Sequence, residues 1–80
     1  MTYSPEVIAE LEILSLFNLA NSQEGLKIHN QAGAEAIAAA ARLHAKGLIT
    51  LQDGGYLTRL GQDAAEHAQV LLSILTPPSA

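Results

Sequence analysis

The first apolar run of the chain is preceded by signals for the start of a helix. Ser4 offers a capping hydroxyl, Pro5 suits the first helical position, and Glu6 places an acid in the first turn. The pattern predicts a helix from residue 5 to about residue 19 or 20. From residue 13 onward the apolar positions go right round this helix: Ile13, Leu14, Leu16, Phe17 and Leu19. Burial on all sides in a chain of 80 residues indicates that a second subunit covers part of the helix.

The middle of the chain predicts a short element and a second helix. Residues 26–29 alternate between apolar and polar, which fits either a short strand or one helical turn, and the bounding Gly25 favours a strand. Gly33 can cap a helix over residues 34–46, and Gly47 is the glycine expected just after its end. A helical wheel of this helix predicts an inner side made of Ala36, Ile37, Ala40, Leu43 and His44. It predicts an outer side made of Glu35, Ala39, Arg42 and Lys46.

The last third of the chain predicts a β-hairpin followed by a helix. Residues 47–51 lead into a strand, Gln52-Asp53-Gly54-Gly55 forms the turn, and residues 56–58 return. Thr58 caps a helix over residues 59–75, with one apolar face made of Leu60, Ala64, His67, Leu71, Ile74 and Leu75. Leu71 on this face and Leu14 in the first helix are predicted to lie in the core. Pro77-Pro78 ends it, so residues 77–80 are expected to form a mobile tail. The predicted fold is one mainly α domain over residues 1–76, winged-helix-like, with a small β-hairpin as the wing.

The segment from residue 41 to 61, ARLHAKGLITLQDGGYLTRLG, resembles the winged-helix regulators. In those proteins a helix ends in a motif like Leu43…Lys46-Gly47-Leu48-Ile49, a wing carries glycine and aspartate, and a motif like Tyr56-Leu57-Thr58 opens the next helix. Over nearly its whole length the chain also resembles a small uncharacterised family of bacterial proteins, some labelled as DNA-binding proteins or regulators. Its members share the opening SPEVIAELEIL and the middle QEGLKIH. The chain departs from the regulators before its second helix, where only residues 23–31 are available for the full helix that a helix-turn-helix needs.

The resemblance implies DNA binding, which the charge balance opposes. A recognition helix over residues 34–46 would offer Arg42 and Lys46, and the wing would add Gln52 and Arg59. The chain has only four Lys and Arg against eight Asp and Glu, a net charge of −4. A typical binder makes roughly six to ten phosphate contacts. Sequence-specific DNA binding as a dimer, in transcription regulation, is therefore kept as the alternative function.

A role in protein interaction, assembly or regulation is the function that the sequence favours. Apolar residues make up 49% of the chain, more than a domain of this size readily buries. We expect a homodimer joined through the first and last helices, and a further protein partner is compatible with this surface. The predicted interface residues are Ile13, Leu16, Phe17, Val70 and Leu72.

Catalysis and metal binding have little support in the pattern of reactive residues. The histidines at 29, 44 and 67 lack the spacing of a helical zinc site, and there is no cysteine. Glu6, Glu10 and Glu12 form a charged helix face rather than an acid–base pair. We therefore expect no enzyme, no metal, no cofactor and no small-molecule substrate. The N-terminus has no basic segment typical of a secretory signal, and no apolar run is long enough to span a membrane, so the expected location is the cytoplasm.

Overall fold

Three helices pack around a small antiparallel sheet, an arrangement that is winged-helix-like. A computed structural model describes residues 3–21 and 23–76 of the chain. The sheet has the strand order β1-β3-β2, so the last strand lies in the middle. The elements follow each other as α1 Pro5–Leu14, β1 Leu26–Lys27, a 3-10 turn Asn30–Ala32, α2 Ala34–Ala45, β2 Ile49–Leu51, β3 Gly54–Leu57 and α3 Arg59–Leu75. The predicted mainly α fold with a hairpin is confirmed, and the predicted tail at residues 77–80 lies outside the described residues.

Helix α1 begins where the sequence predicts and ends earlier. The Ser4 hydroxyl accepts a hydrogen bond from the Val7 amide at 3.2 Å, as expected of an N-cap. The helix stops at Leu14 rather than near residue 19 or 20, so the predicted end was wrong. The Gln69 side-chain amide of α3 donates to the carbonyls of Leu14 at 3.2 Å and Phe17 at 2.8 Å. These bonds satisfy carbonyl groups that a longer helix would have paired internally.

The segment before α2 contains a strand but no full helix. Residues 26 and 27 form β1, which confirms the preference for a strand over a helical turn. The only helical structure between β1 and α2 is the three-residue 3-10 turn. The first helix of a helix-turn-helix is therefore reduced to a single turn, as the shortness of this segment predicts.

Helix α2 has the predicted length but packs a different face inward. Gly33 caps it, and Gly47 follows it with φ +83°. Ala39, Ala40 and Leu43 are buried, whereas Ile37 and His44, predicted to face inward, are exposed. The predicted outer position of Ala39 was wrong because α1 packs on that side of the helix, where Arg42, one turn further on, bonds to Glu10 of α1.

The predicted β-hairpin is present, and its glycines lie within the return strand. Strand β3 starts at Gly54 rather than at residue 56, and the two-residue turn is Gln52-Asp53. Gly54 has φ +131°, and a Cβ at that position would overlap the Leu26 carbonyl group. The glycine thus permits the left-handed backbone and lets β1 pair closely with β3.

Helix α3 spans the predicted residues but packs on the core through a different face from the one that carries Leu71. Thr58 caps it by accepting a hydrogen bond from the Gly61 amide at 3.1 Å. Its buried residues are Gly61, Ala65 and Ala68, whereas most of the predicted apolar face, including Leu60 and Leu71, is exposed. The predicted place of Leu71 in the core was therefore wrong, whereas Leu14 is buried as predicted.

The core is small and aliphatic, with one aromatic residue. It consists of Ile13, Leu14, Phe17, Ile28, Ala39, Ala40, Leu43, Ile49 and Ala65. Within the described ranges, no helix combines the length and the hydropathy needed to cross a membrane.

Candidate interaction surface

Helix α3 has two apolar faces that differ in side-chain size. The inner face is made of glycine and alanine at positions 61, 65 and 68, one helical turn apart. A Cβ on Gly61 would overlap the Leu48 carbonyl oxygen and lie 2.8 Å from its carbonyl carbon. The helix can come this close to the hairpin only because the inner face carries small side chains. The larger apolar side chains consequently point away from the core.

The exposed apolar face is concentrated in the last turns of α3. Val70, Leu71, Ile74 and Leu75 are 59%, 53%, 69% and 66% exposed, and we call these four residues the outer strip. Val70 and Ile74 are four residues apart, as are Leu71 and Leu75, so the two adjacent pairs lie one turn apart on one broad side of the helix. A shallow depression of about 450 Å³ lies along this face. It is lined by Glu66, His67, Val70, Leu71 and Ile74.

The outer strip lies in a part of α3 that has no formal charge near neutral pH. Residues 68–76 include no Asp, Glu, Lys or Arg. His67 precedes the strip, and its Nδ1 donates to the Asp63 carbonyl oxygen at 2.7 Å. The nearest carboxylates on the helix, Asp63 and Glu66, lie on its N-terminal half. An uncharged apolar patch with a charged margin is typical of the centre of a protein interface.

The five residues predicted to form a dimer interface do not form one surface. Val70 belongs to the outer strip, whereas Leu72, 39% exposed, continues the inner-face line of Ala65 and Ala68. Ile13 and Phe17 are buried in the subunit's own core, 3% and 5% exposed, so their assignment to an interface is corrected. Leu16 is exposed but lines a separate groove, none of whose lining residues belongs to α3.

The two cations predicted to face DNA from α2 are turned toward α1 instead. Arg42 Nε donates to Glu10 Oε2 at 3.1 Å, and Arg42 Nη2 donates to the Glu6 carbonyl oxygen at 3.1 Å. Lys46 Nζ donates to Glu10 Oε1. The Glu10 side chain is only 8% exposed, so α1 brings a buried carboxylate to the two cations. Arg42 is half-buried against α1, so its outward placement was wrong, whereas Lys46 stays 53% exposed at the edge of the α1–α2 contact.

The electrostatics of Glu10 favour its ionised form. Burial raises the pKa of the Glu10 carboxyl group, but the hydrogen bonds and positive charges of Lys46 and Arg42 outweigh burial, and the net pKa is lowered. Glu10 therefore stays negative at neutral pH and neutralises part of the positive charge of α2.

Gln52 and Arg59, the two other residues predicted to contact DNA, are exposed. Gln52 lies in the hairpin turn, and Arg59 is the first residue of α3. Lys27, beside the hairpin, lies 4.0 Å from a carboxylate oxygen of Asp53. Arg59 is the one Lys or Arg in the described part of the chain without a carboxylate within ion-pair distance.

The three histidines are dispersed over the fold. His29, His44 and His67 lie before the 3-10 turn, near the end of α2 and in α3, respectively. In residues 3–21 and 23–76, no three His, Cys, Asp or Glu side chains are grouped so that they could hold a metal ion.

The sequence analysis did not identify Glu10 or the outer strip, although the spacing of residues contains a signal for each. Glu10 precedes the buried Ile13, Leu14 and Phe17 by three, four and seven residues, so it shares their face of α1. For α3, the signal was the repeat of small residues at 61, 65 and 68, which marks a face capable of close packing.

Comparison with known proteins identifies a family without an assigned activity. No curated protein and no solved structure matches the chain significantly. The sequence profile of one family matches residues 1–76, which is nearly the whole chain and includes all three helices. The chain therefore belongs to the Family of unknown function (DUF5669).

Proposed function

We propose that the chain is a non-catalytic interaction module that binds a protein partner through the outer strip of α3. The observation that carries this proposal is the inversion of α3, whose small residues face the core while its large apolar residues face water. Each strip residue that becomes buried against a partner gains roughly 1–2 kcal/mol of apolar transfer free energy. An exposed patch of this kind, bordered by polar residues, is typical of an interaction site.

The distribution of charge supports a protein partner over a nucleic acid. Three of the four cationic side chains already have a carboxylate partner within the chain. The exposed positions of α2 include Glu35, Ile37 and several alanines, which cannot neutralise phosphates. The only buried carboxylate of the described core is occupied by Arg42 and Lys46, which supports a structural rather than a chemical use of that group.

Site-specific photo-crosslinking tests the proposal. A photo-reactive phenylalanine analogue in place of Leu71 should give a covalent adduct with another polypeptide in the source cells. The same analogue in place of Leu51 is the matched control, because Leu51 is a leucine with similar exposure, 55%, on strand β2. Adducts that form from position 71 and not from position 51 are expected. If neither position gives a protein adduct, the outer strip binds no protein and the proposal is refuted.

DNA binding is the second candidate because the order of the elements is winged-helix-like. In this arrangement α2 corresponds to a recognition helix, and the hairpin, with Gln52, corresponds to a wing. Fluorescence anisotropy with a random-sequence duplex separates the two functions. Weak or no binding at physiological salt is expected of the interaction module. Sub-micromolar binding that falls steeply with salt would favour the second candidate.

A further inference from the structure

We infer that the partner of the outer strip is a second copy of this chain, docked α3 against α3 in antiparallel orientation with a two-fold axis midway between Leu71 and Ile74. This inference rests on the proposed function and names its partner. In this arrangement Leu71 of one copy lies opposite Ile74 of the other, and Val70 lies opposite Leu75. A two-fold interface requires a surface that is complementary to itself, and a single helix face with regular spacing meets that requirement.

The area of the strip matches what a weak dimer requires. An aliphatic side chain of this size presents on the order of 100 Å² of apolar area, so the four strip residues expose roughly 250 Å² per subunit. Two copies would bury about 500 Å² of apolar area, and apolar atoms make up about 60% of an interface. The whole interface would then be about 800 Å², the size of a weak, reversible association.

The charges along α3 determine the orientation. A parallel pair would place Asp63 beside Asp63 and Glu66 beside Glu66 of the second copy, and each contact would be repulsive. The antiparallel pair brings together the uncharged segments over residues 68–76 and moves the carboxylates to opposite ends of the interface. Antiparallel helix dipoles also attract each other. The inner-face alanines remain on the core of their own subunit, so dimerisation requires no change in the fold.

Sedimentation equilibrium of the full chain at about 1 to 500 µM tests the partner. The wild-type chain is expected to change from monomer to dimer over this range. Leu71→Glu and Ile74→Glu should each weaken the dimer at least tenfold, because the two-fold axis places each new charge in the interface twice. Leu51→Glu and Leu16→Glu are matched controls on exposed leucines outside the strip, and they should leave the dimer unchanged. Circular dichroism verifies that each variant is folded.

Chemical cross-linking tests the orientation. The chain has no cysteine, so Leu71→Cys and Asp63→Cys each introduce a single thiol. With a short bismaleimide, Leu71→Cys should form a covalent dimer, whereas Asp63→Cys should not, because the antiparallel pairing separates the two copies of position 63. Efficient cross-linking of Asp63→Cys would overturn the antiparallel arrangement.

The outcomes for the partner and for the proposed function can be distinguished. A chain that is monomeric at every concentration overturns the second copy as partner. A dimer that survives the glutamates at 71 and 74 overturns it as well. In both cases the proposed function still stands if the photo-crosslinker at position 71 captures a different protein. If that probe captures nothing, the proposed function fails too.

Discussion

Glutamine in place of Glu10 removes one negative charge from the α1–α2 contact and keeps the shape of the side chain. In the native protein the Glu10 carboxylate accepts hydrogen bonds from Arg42 and Lys46. After the substitution one oxygen can still accept a bond, whereas the amide nitrogen faces a cation. The variant thus separates the charge of Glu10 from its packing.

The burial of the three side chains sets the expected magnitude. Removing one member of a fully buried ion pair costs about 3–5 kcal/mol, because the remaining charge has no compensation. Here Arg42 and Lys46 are 34% and 53% exposed, so they recover water when the carboxylate is lost. Hydrogen bonds to charged groups contribute about 1.5–3 kcal/mol. We expect Glu10→Gln to lower the free energy of unfolding by about 2 kcal/mol, a large part of the stability of a domain of this size.

The stability difference between wild type and Glu10→Gln should depend on pH in a direction set by the lowered pKa of Glu10. The pKa of Glu10 is lower in the folded state than the value of about 4.3 for an unperturbed glutamate. Its contribution to stability is therefore complete above the unfolded pKa and is lost as the pH falls through the folded pKa. The difference between wild type and Glu10→Gln should be full at neutral pH and should shrink below about pH 4.

Urea unfolding followed by circular dichroism measures this difference at neutral and acidic pH. Glu12→Gln is the matched control, since Glu12 is exposed on the same helix and has no ion-pair partner among the described residues. A loss below about 0.5 kcal/mol at neutral pH, no greater than that of an ordinary surface substitution, would refute the role assigned to Glu10.

Three further predictions concern packing and charge. Gly61→Ala should destabilise the fold by about 3 kcal/mol or more, because the new methyl group overlaps the Leu48 carbonyl; a urea midpoint near that of wild type would show that α3 packs less closely. Leu14→Ala should cost about 2–5 kcal/mol, whereas Leu71→Ala should cost less than about 1 kcal/mol in dilute, monomeric protein; equal losses in denaturant melts would contradict the exposure of Leu71. Anisotropy with duplex DNA at low salt should show tighter binding by Glu10→Gln than by wild type, because two cations are released; unchanged binding would mean that α2 does not face the phosphates.

The local signals in the sequence predicted the beginnings of elements and the turns correctly. Ser4 and Thr58 cap α1 and α3, Gly47 follows α2, and the Asp-Gly pair lies at the hairpin turn. Each of these features acts on backbone groups only a few residues away, so its effect can be read without the rest of the fold. The mainly α fold with a β-hairpin follows from these signals and from the spacing of apolar residues.

The tertiary structure decided how the elements use their side chains. Helix α1 ends at Leu14, and Gln69, 55 residues away, donates a hydrogen bond to the carbonyl group left there without a helical partner. Glu10 holds Arg42 across 32 residues and removes it from the surface that the sequence assigned to DNA. A local sequence pattern predicts neither of these contacts, because only the fold brings residues so far apart in the chain together.

The inner face of α3 is the clearest example of a feature that a local sequence pattern does not determine. A helical wheel reveals a face of large apolar residues and a face of small ones, and burial of apolar area alone favours the large face for the core. The fold buries the small face, because only Gly61 allows α3 to approach the carbonyl of Leu48. The sequence by itself determined that two apolar faces exist. The tertiary structure determined which one is left exposed, because close packing depends on the shape of the surface that the helix meets.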